Sequence, residues 1–217
     1  MRTQPLVTLA TALLFAWRAT PGSAQAPAAL NCSIEGDTRT AAVQALNRLK
    51  NRTAVPAATD IAPNVTMTAL TASGDDRRRF DSRGAARIAG YVADVKVGGV
   101  ESVNCHAKAV SDRDTHIELT LSANDPVEGK HVIIEVTPRW RAIMRERGED
   151  WSTASLRRHL LGRWVEVTGW MLFDQEHLAN AANTQRGKAK VWRATAWEVH
   201  PVTSLRVVPA PALTPRQ

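Results

Sequence analysis

The chain has 217 residues, enough for one ordinary domain with extensions, and beyond residue 24 no stretch is long and apolar enough to span a membrane. Its formal charge is +7. A modest positive balance suits a solvated surface as well as contact with nucleic acid, an anionic glycan or lipid headgroups, and it selects none of them.

Residues 1–24 read as a secretory signal peptide. Arg2 supplies a basic start, Leu6 to Trp17 an apolar run, and Gly22-Ser23-Ala24 a small-residue cleavage site. An uncleaved anchor is the alternative, but the run is short and Arg18 interrupts it. Cleavage removes Arg2 and Arg18 and no acidic residue, so the charge falls from +7 to +5. The mature chain is expected to be soluble and exported, to a periplasmic or extracellular location. In an oxidising compartment the isolated pair Cys32 and Cys105 is expected to form one disulfide, tying the N-terminal segment to the main domain. Neither cysteine sits in a metal-binding C-x-x-C.

Residues 25–85 read as an N-terminal extension. Its first part, 25–36, is rich in Ala and Pro. Asp37 is expected to cap a helix running to about Lys50, with Ala42, Leu46 and Leu49 as the buried stripe. Val65, Met67 and Ala69 alternate with Thr66 and Thr68, which predicts a lone strand over Ile61 to Leu70. Gly74 to Phe80 reads as a charged turn.

From residue 86 to 208 the pattern becomes regular. Ile88, Gly90, Val92 and Val95 mark a first strand, ended by Gly98-Gly99. In the second, Thr115, Ile117, Leu119 and Leu121 take one face and His116, Glu118 and Thr120 the other. In the third, Val132, Ile134 and Val136 oppose His131, Ile133 and Glu135. Thr137-Pro138 starts a helix that Gly148 stops, and Ser152 or Thr153 caps another closed by Gly162. The fourth strand, around Arg163 to Asp174, buries Val165, Val167 and Met171, and Gly169 inside it predicts a bend or bulge. After a polar loop, 175–193, the fifth strand runs through Trp197 and Val199 to Val207. Residues 209–217 read as a disordered tail.

Three strands, helices, then two strands is the order of the OB-fold, a five-stranded Greek-key barrel, here mainly β with α. An α+β sandwich that adds the N-terminal strand is the competing arrangement. Three segments, Asp112-Arg-Asp-Thr-His-Ile-Glu-Leu119, Arg163-Trp-Val-Glu-Val-Thr-Gly-Trp170 and Trp192-Arg-Ala-Thr-Ala-Trp-Glu-Val-His-Pro-Val-Thr203, resemble those of a family of uncharacterised bacterial exported proteins with OB-like folds. The resemblance spans about Leu46 to Val207. It implies fold and compartment and carries no catalytic residues.

The pairs His116/Glu118, His131/Glu135 and Glu198/His200 fall on the face opposite the apolar one. They suit a metal site or acid–base chemistry, but no spaced ligand motif accompanies them, and the expected reading is a ladder of cross-strand pairs on a wet sheet face. Asp112-Arg113-Asp114 reads either as a cation- or anion-orienting group or as a buried Asp/Arg network fixing the loop. Six tryptophans, Trp140, Trp151, Trp164, Trp170, Trp192 and Trp197, either pack the helices onto the barrel or offer a stacking surface. Trp164 and Trp170 are expected to face out or lie under the long loop. No nucleophile elbow and no phosphate-cradling glycine loop is present.

These features point first to an exported binding module whose ligand, anionic or a glycan or oligonucleotide, lies on the outer face of strand two between loops 97–113 and 175–193. His116, Glu118, Thr120, Arg186, Lys188, Lys190, Trp192 and Arg193 are the expected contacts. Two alternatives stand beside it: a metal-dependent hydrolase using the His/Glu stripe, and a cell-envelope interaction module docking through the N-terminal helix. No cofactor, ligand identity or oligomeric state follows from the sequence.

Overall fold

The computed structural model describes residues 31–123, 125–185 and 190–211. The expected signal peptide, Arg186, Lys188 and the end of the tail lie outside the described residues. Five strands close into a barrel: β1 (Ala85–Val97), β2 (Thr115–Thr120), β3 (Val132–Val136), β4 (Trp164–Phe173) and β5 (Trp197–Val207), in the order β1-β2-β3-β5-β4. All neighbours are antiparallel except β3 and β5. This is the OB-type arrangement, and the sandwich alternative falls away.

Closure depends on β1 serving two partners. Its first half pairs with β4 from Ala85↔Trp170 to Tyr91↔Trp164, its second with β2 from Tyr91↔Thr120 to Val97↔Thr115, with a register shift between Val92 and Asp94. Gly169 makes the second corner. A Cβ there would come within 2.4 Å of the Pro201 carbonyl oxygen, and the β4–β5 register shifts on both sides of it. The lack of a side chain lets the two strands approach and coil.

The interior holds Ile88, Val92, Val95, Ile117, Leu119, Ile134, Val136, Val165, Val167, Met171 and Val199. Helices α3 (Pro138–Glu146) and α4 (Thr153–Leu160), between β3 and β4, add Trp140, Met144, Leu156 and Leu160 to this core. Their caps are those expected: the Thr137 and Ser152 side chains accept from the Trp140 and Ser155 amides, and Gly148 and Gly162 have positive φ. Leu121, expected inside, is 47% exposed, because β2 ends at Thr120 and the chain turns away.

The N-terminal extension differs from expectation in three places. Helix α1 (Ala41–Lys50) starts at Thr40, while Asp37 pairs with His106 Nδ1 at 2.8 Å. Its buried residues are Leu46, Asn47 and Lys50, and Ala42 is exposed, because it docks on polar partners: Asn47 donates to the Glu35 carbonyl and Lys50 to Glu101 and Glu176. Ile61 to Leu70 is no strand. Only Ile61 bridges, to Ala85, and Thr66 caps α2 (Met67–Thr71), whose Met67 and Leu70 enter the core. A two-residue alternation over so few positions does not separate strand from short helix, and the threonine hydroxyl decided it by capping the Ala69 amide. Cys32 and Cys105 form the disulfide, fixing the segment ahead of α1 to the β1–β2 loop. Among the described residues no helix is long and apolar enough to cross a membrane.

Candidate functional site

Strand alternation places His116, Glu118, His131, Glu135, Glu198 and His200 outside the barrel wall, as the sequence predicts. The face they form is not wet. All six are buried, so the expected surface ladder is instead an enclosed ionic cluster. Register does the first part of the assembly: His116 faces Glu135 across β2 and β3, and Ile134 faces Val199 across β3 and β5, which sets Glu135 beside Glu198 and His200. The cover does the rest. The chain after β4 runs back over the face through a 3-10 segment, Gln175–Asn180, and is pinned by a bridge between Ala181 and Arg193. Helix α1 adds Lys50 from the side, 2.9 Å from Glu101 and 3.0 Å from Glu176.

The ion pairs form a connected set. His116 Nδ1 lies 3.0 Å from Glu135, and His131 Nδ1 lies 2.6 Å from Glu118, which also receives the Lys96 ammonium. His200 Nδ1 lies 3.2 Å from Glu198 and 3.3 Å from Glu135. The fully buried Arg193 guanidinium reaches Asp174 at 3.1 Å and Glu198 at 2.7 Å, and His177 holds the same Asp174 at 2.5 Å.

Burial and pairing pull the ionisation equilibria in opposite directions. Burial alone would lower the His116 imidazole, but hydrogen bonds to Glu118 and Glu135 outweigh it and raise it to about 9. Burial would likewise raise Glu118, and its bonds to His116, His131 and Lys96 hold it well below the usual carboxylate range. Glu135 is brought down to about 2 against its burial by the His200 charge and the His116 bond. Asp114 goes the other way: burial raises it to about 7, with His200 opposing and the negative charges of Glu135 and Glu101 adding to the rise. Burial also raises Glu198, against the pull of Arg193.

A cavity of about 450 Å³ opens over this cluster. Its wall includes Gly98 and Glu101 from the β1–β2 loop, His116 and Glu135 from the sheet, and His177 and Trp192 from the covering segment. The Trp192 ring lies 5.6 Å from both the His116 and the His177 rings, with the Arg193 guanidinium 5.3 Å over it.

Of the expected ligand contacts, His116, Trp192 and Arg193 line this cavity, and Glu118 braces His116 and His131 from behind. Thr120 is buried, with its hydroxyl donated to the Ser122 carbonyl. Lys190 is exposed with a left-handed backbone. The Asp112-Arg113-Asp114 network does not form. Arg113 donates to the Gly98 and Gly99 carbonyls, the loop is held by Arg141 through the Ser111 and Arg113 carbonyls, and Asp114 turns toward His200. Trp164 stacks edge-on with Tyr91. Trp170 lies under Arg52 and donates to the Ala54 carbonyl, so it meets the N-terminal extension and not the long loop.

Sequence reasoning missed Lys50, Glu101, Asp174, Glu176 and His177. Asp174 and His177 carried a faint signal, an acid and a histidine three residues apart at the exit of a strand. Lys50 carried none, since a lysine ending a helix is ordinarily solvated. The order of strands, with a polar cavity over β2, β3 and β5 between the β1–β2 and β4–β5 connections, defines an OB-type barrel with a covered polar face. No protein-family model, curated protein or solved structure matches the chain.

Proposed function

We propose that the protein is an exported binding module that holds a small hydroxyl-rich ligand, a sugar or short glycan, in the cavity over β2, β3 and β5. The observation that carries this reading is the wall itself. Glu101 and Glu128 offer acceptors for hydroxyl groups, with Glu135 and Glu198 paired behind them, and the Trp192 ring lies among them as a stacking surface. At about 450 Å³ the space suits a small ligand and not a nucleic-acid strand. The cations on the wall, Lys96, His116, His177 and Arg193, are each already paired with a carboxylate, which disfavours phosphate. Export is supported by the signal-peptide pattern of residues 1–24 and by the Cys32–Cys105 bridge.

The test is a glycan screen on purified mature protein, followed by titration with tryptophan fluorescence as readout. Trp192→Ala is expected to weaken binding of any sugar found by roughly tenfold or more, corresponding to one lost stacking contact of about 1–3 kcal/mol. A sugar whose affinity is unchanged in Trp192→Ala binds elsewhere, and the reading then fails.

A further inference from the structure

Behind the cavity wall lies a second arrangement that does not depend on what the cavity binds. Asp114, just ahead of β2, Glu135 on β3 and His200 on β5 are each more than nine-tenths buried, and one ligand atom from each lies within 4.8 Å of the other two. We propose that these three side chains form a divalent-metal site of the zinc or manganese class.

Three observations support it independently of the clustering. The first is unsatisfied polar atoms. His200 Nε2 and Asp114 Oδ1 are both buried with no hydrogen-bond partner among the described residues, and a bound cation would satisfy both. The second is imidazole orientation. His200 Nδ1 is hydrogen-bonded to the Glu198 carboxylate at 3.2 Å, which places the ring proton there and leaves the Nε2 lone pair free. A carboxylate behind a histidine is the usual support of a metal-bound imidazole. A second proton on the ring does not satisfy the site as well, because Nε2 and Asp114 Oδ2 are 3.9 Å apart, beyond hydrogen-bond reach.

The third observation is charge. Among the described residues Asp114 has no lysine or arginine within ion-pairing distance, and its one charged partner is the His200 imidazole, 3.9 Å away. Glu135 is partnered by imidazoles alone, so the two carboxylates together suit a divalent cation. Two carboxylate oxygens and one imidazole nitrogen, with no thiolate, suit Zn²⁺, Mn²⁺ or Fe²⁺ and not the soft metals. Three protein ligands leave coordination positions open, and Glu135 belongs both to the three and to the cavity wall.

The experiment measures metal directly. Purified mature protein, disulfide intact, is analysed for metal content, stripped with chelator and titrated with Zn²⁺ or Mn²⁺ alone. About one equivalent is expected to bind. Asp114→Asn and Glu135→Gln, nearly isosteric, are each expected to weaken binding by more than about tenfold. Glu146→Gln, exposed on α3 and outside both the cavity and the three ligands, is expected to leave it unchanged. Far-UV circular dichroism on the stripped proteins separates lost binding from lost folding. Folded wild-type protein that carries no metal and binds neither ion up to about 100 μM overturns the proposal whatever the variants do. So does tight binding that survives both substitutions. Neither result bears on the sugar screen, and a failed sugar screen leaves the metal titration standing.

Discussion

Arg193→Leu is the sharpest probe of how the covered face is held together. The Arg193 guanidinium has no solvent exposure. It pairs with Asp174 at 3.1 Å and Glu198 at 2.7 Å, and its Nε donates to the Thr195 carbonyl at 2.8 Å. Leucine fills much of the space but leaves two buried carboxylates facing one another without their shared cation. Breaking a buried pair from one side costs about 3–5 kcal/mol, chiefly because the remaining charge stays desolvated. Whole domains of this kind are stable by about 5–15 kcal/mol, so the loss is a large fraction of the total. For a chain of this size it corresponds to a fall in melting temperature on the order of 10 °C. Thermal melts followed by circular dichroism and by tryptophan emission measure it. The triple variant Arg193→Leu, Asp174→Asn, Glu198→Gln removes the stranded charges as well, and is expected to melt well above the single variant. A single variant that melts within about 2 °C of wild type would show that the ionic cluster does not brace the covering segment.

Two further predictions concern the same structure. The His131–Glu118 pair is expected to stabilise over a bounded pH window. The Glu118 bond raises His131, so its contribution is complete below the ordinary histidine pKa of about 6.5 and is lost as pH climbs through the raised value. Glu118 is depressed, so its contribution is present above about 4.3 and is lost as pH falls through the lowered value. A double-mutant cycle with His131→Asn and Glu118→Gln is expected to give a coupling of about 1.5–3 kcal/mol near pH 6, shrinking on the alkaline side. A coupling that grows with pH contradicts this. The Cys32–Cys105 bridge spans 73 residues, for which loop-closure entropy gives about 4 kcal/mol. Cys32→Ala with Cys105→Ala is expected to lower the denaturation midpoint accordingly, and an unchanged midpoint would mean that the unfolded chain is not appreciably constrained by the bridge.

What the sequence determined by itself is what local patterning controls. A side-chain period of two assigns Ile117, Leu119, Ile134, Val136, Val165 and Val167 to the interior whatever the rest of the chain does, because a slip of one residue exchanges the two faces. The helix caps at Thr137 and Ser152 and the corner at Gly169 are similarly local, each set by a hydroxyl, a positive φ or a missing Cβ within a few residues. Element order then left the barrel and one competitor. The sequence also placed His116, Glu118, His131, Glu135, Glu198 and His200 on one outer face. It did not determine whether that face meets water. Period two separates a barrel's inside from its outside and says nothing about a third layer. Here the layer comes from far along the chain: Lys50 from α1, and Asp174, His177, Trp192 and Arg193 from the segment after β4. Polar residues on a strand read as solvated unless partners of opposite charge are known to cover them, and those partners lie from 5 to more than 100 residues away in the chain. The same physical reason explains Ala42 and Leu49, expected buried by helical spacing. The surface on which α1 docks is polar, so beside Leu46 it buries Asn47 and Lys50, a choice only the folded molecule makes.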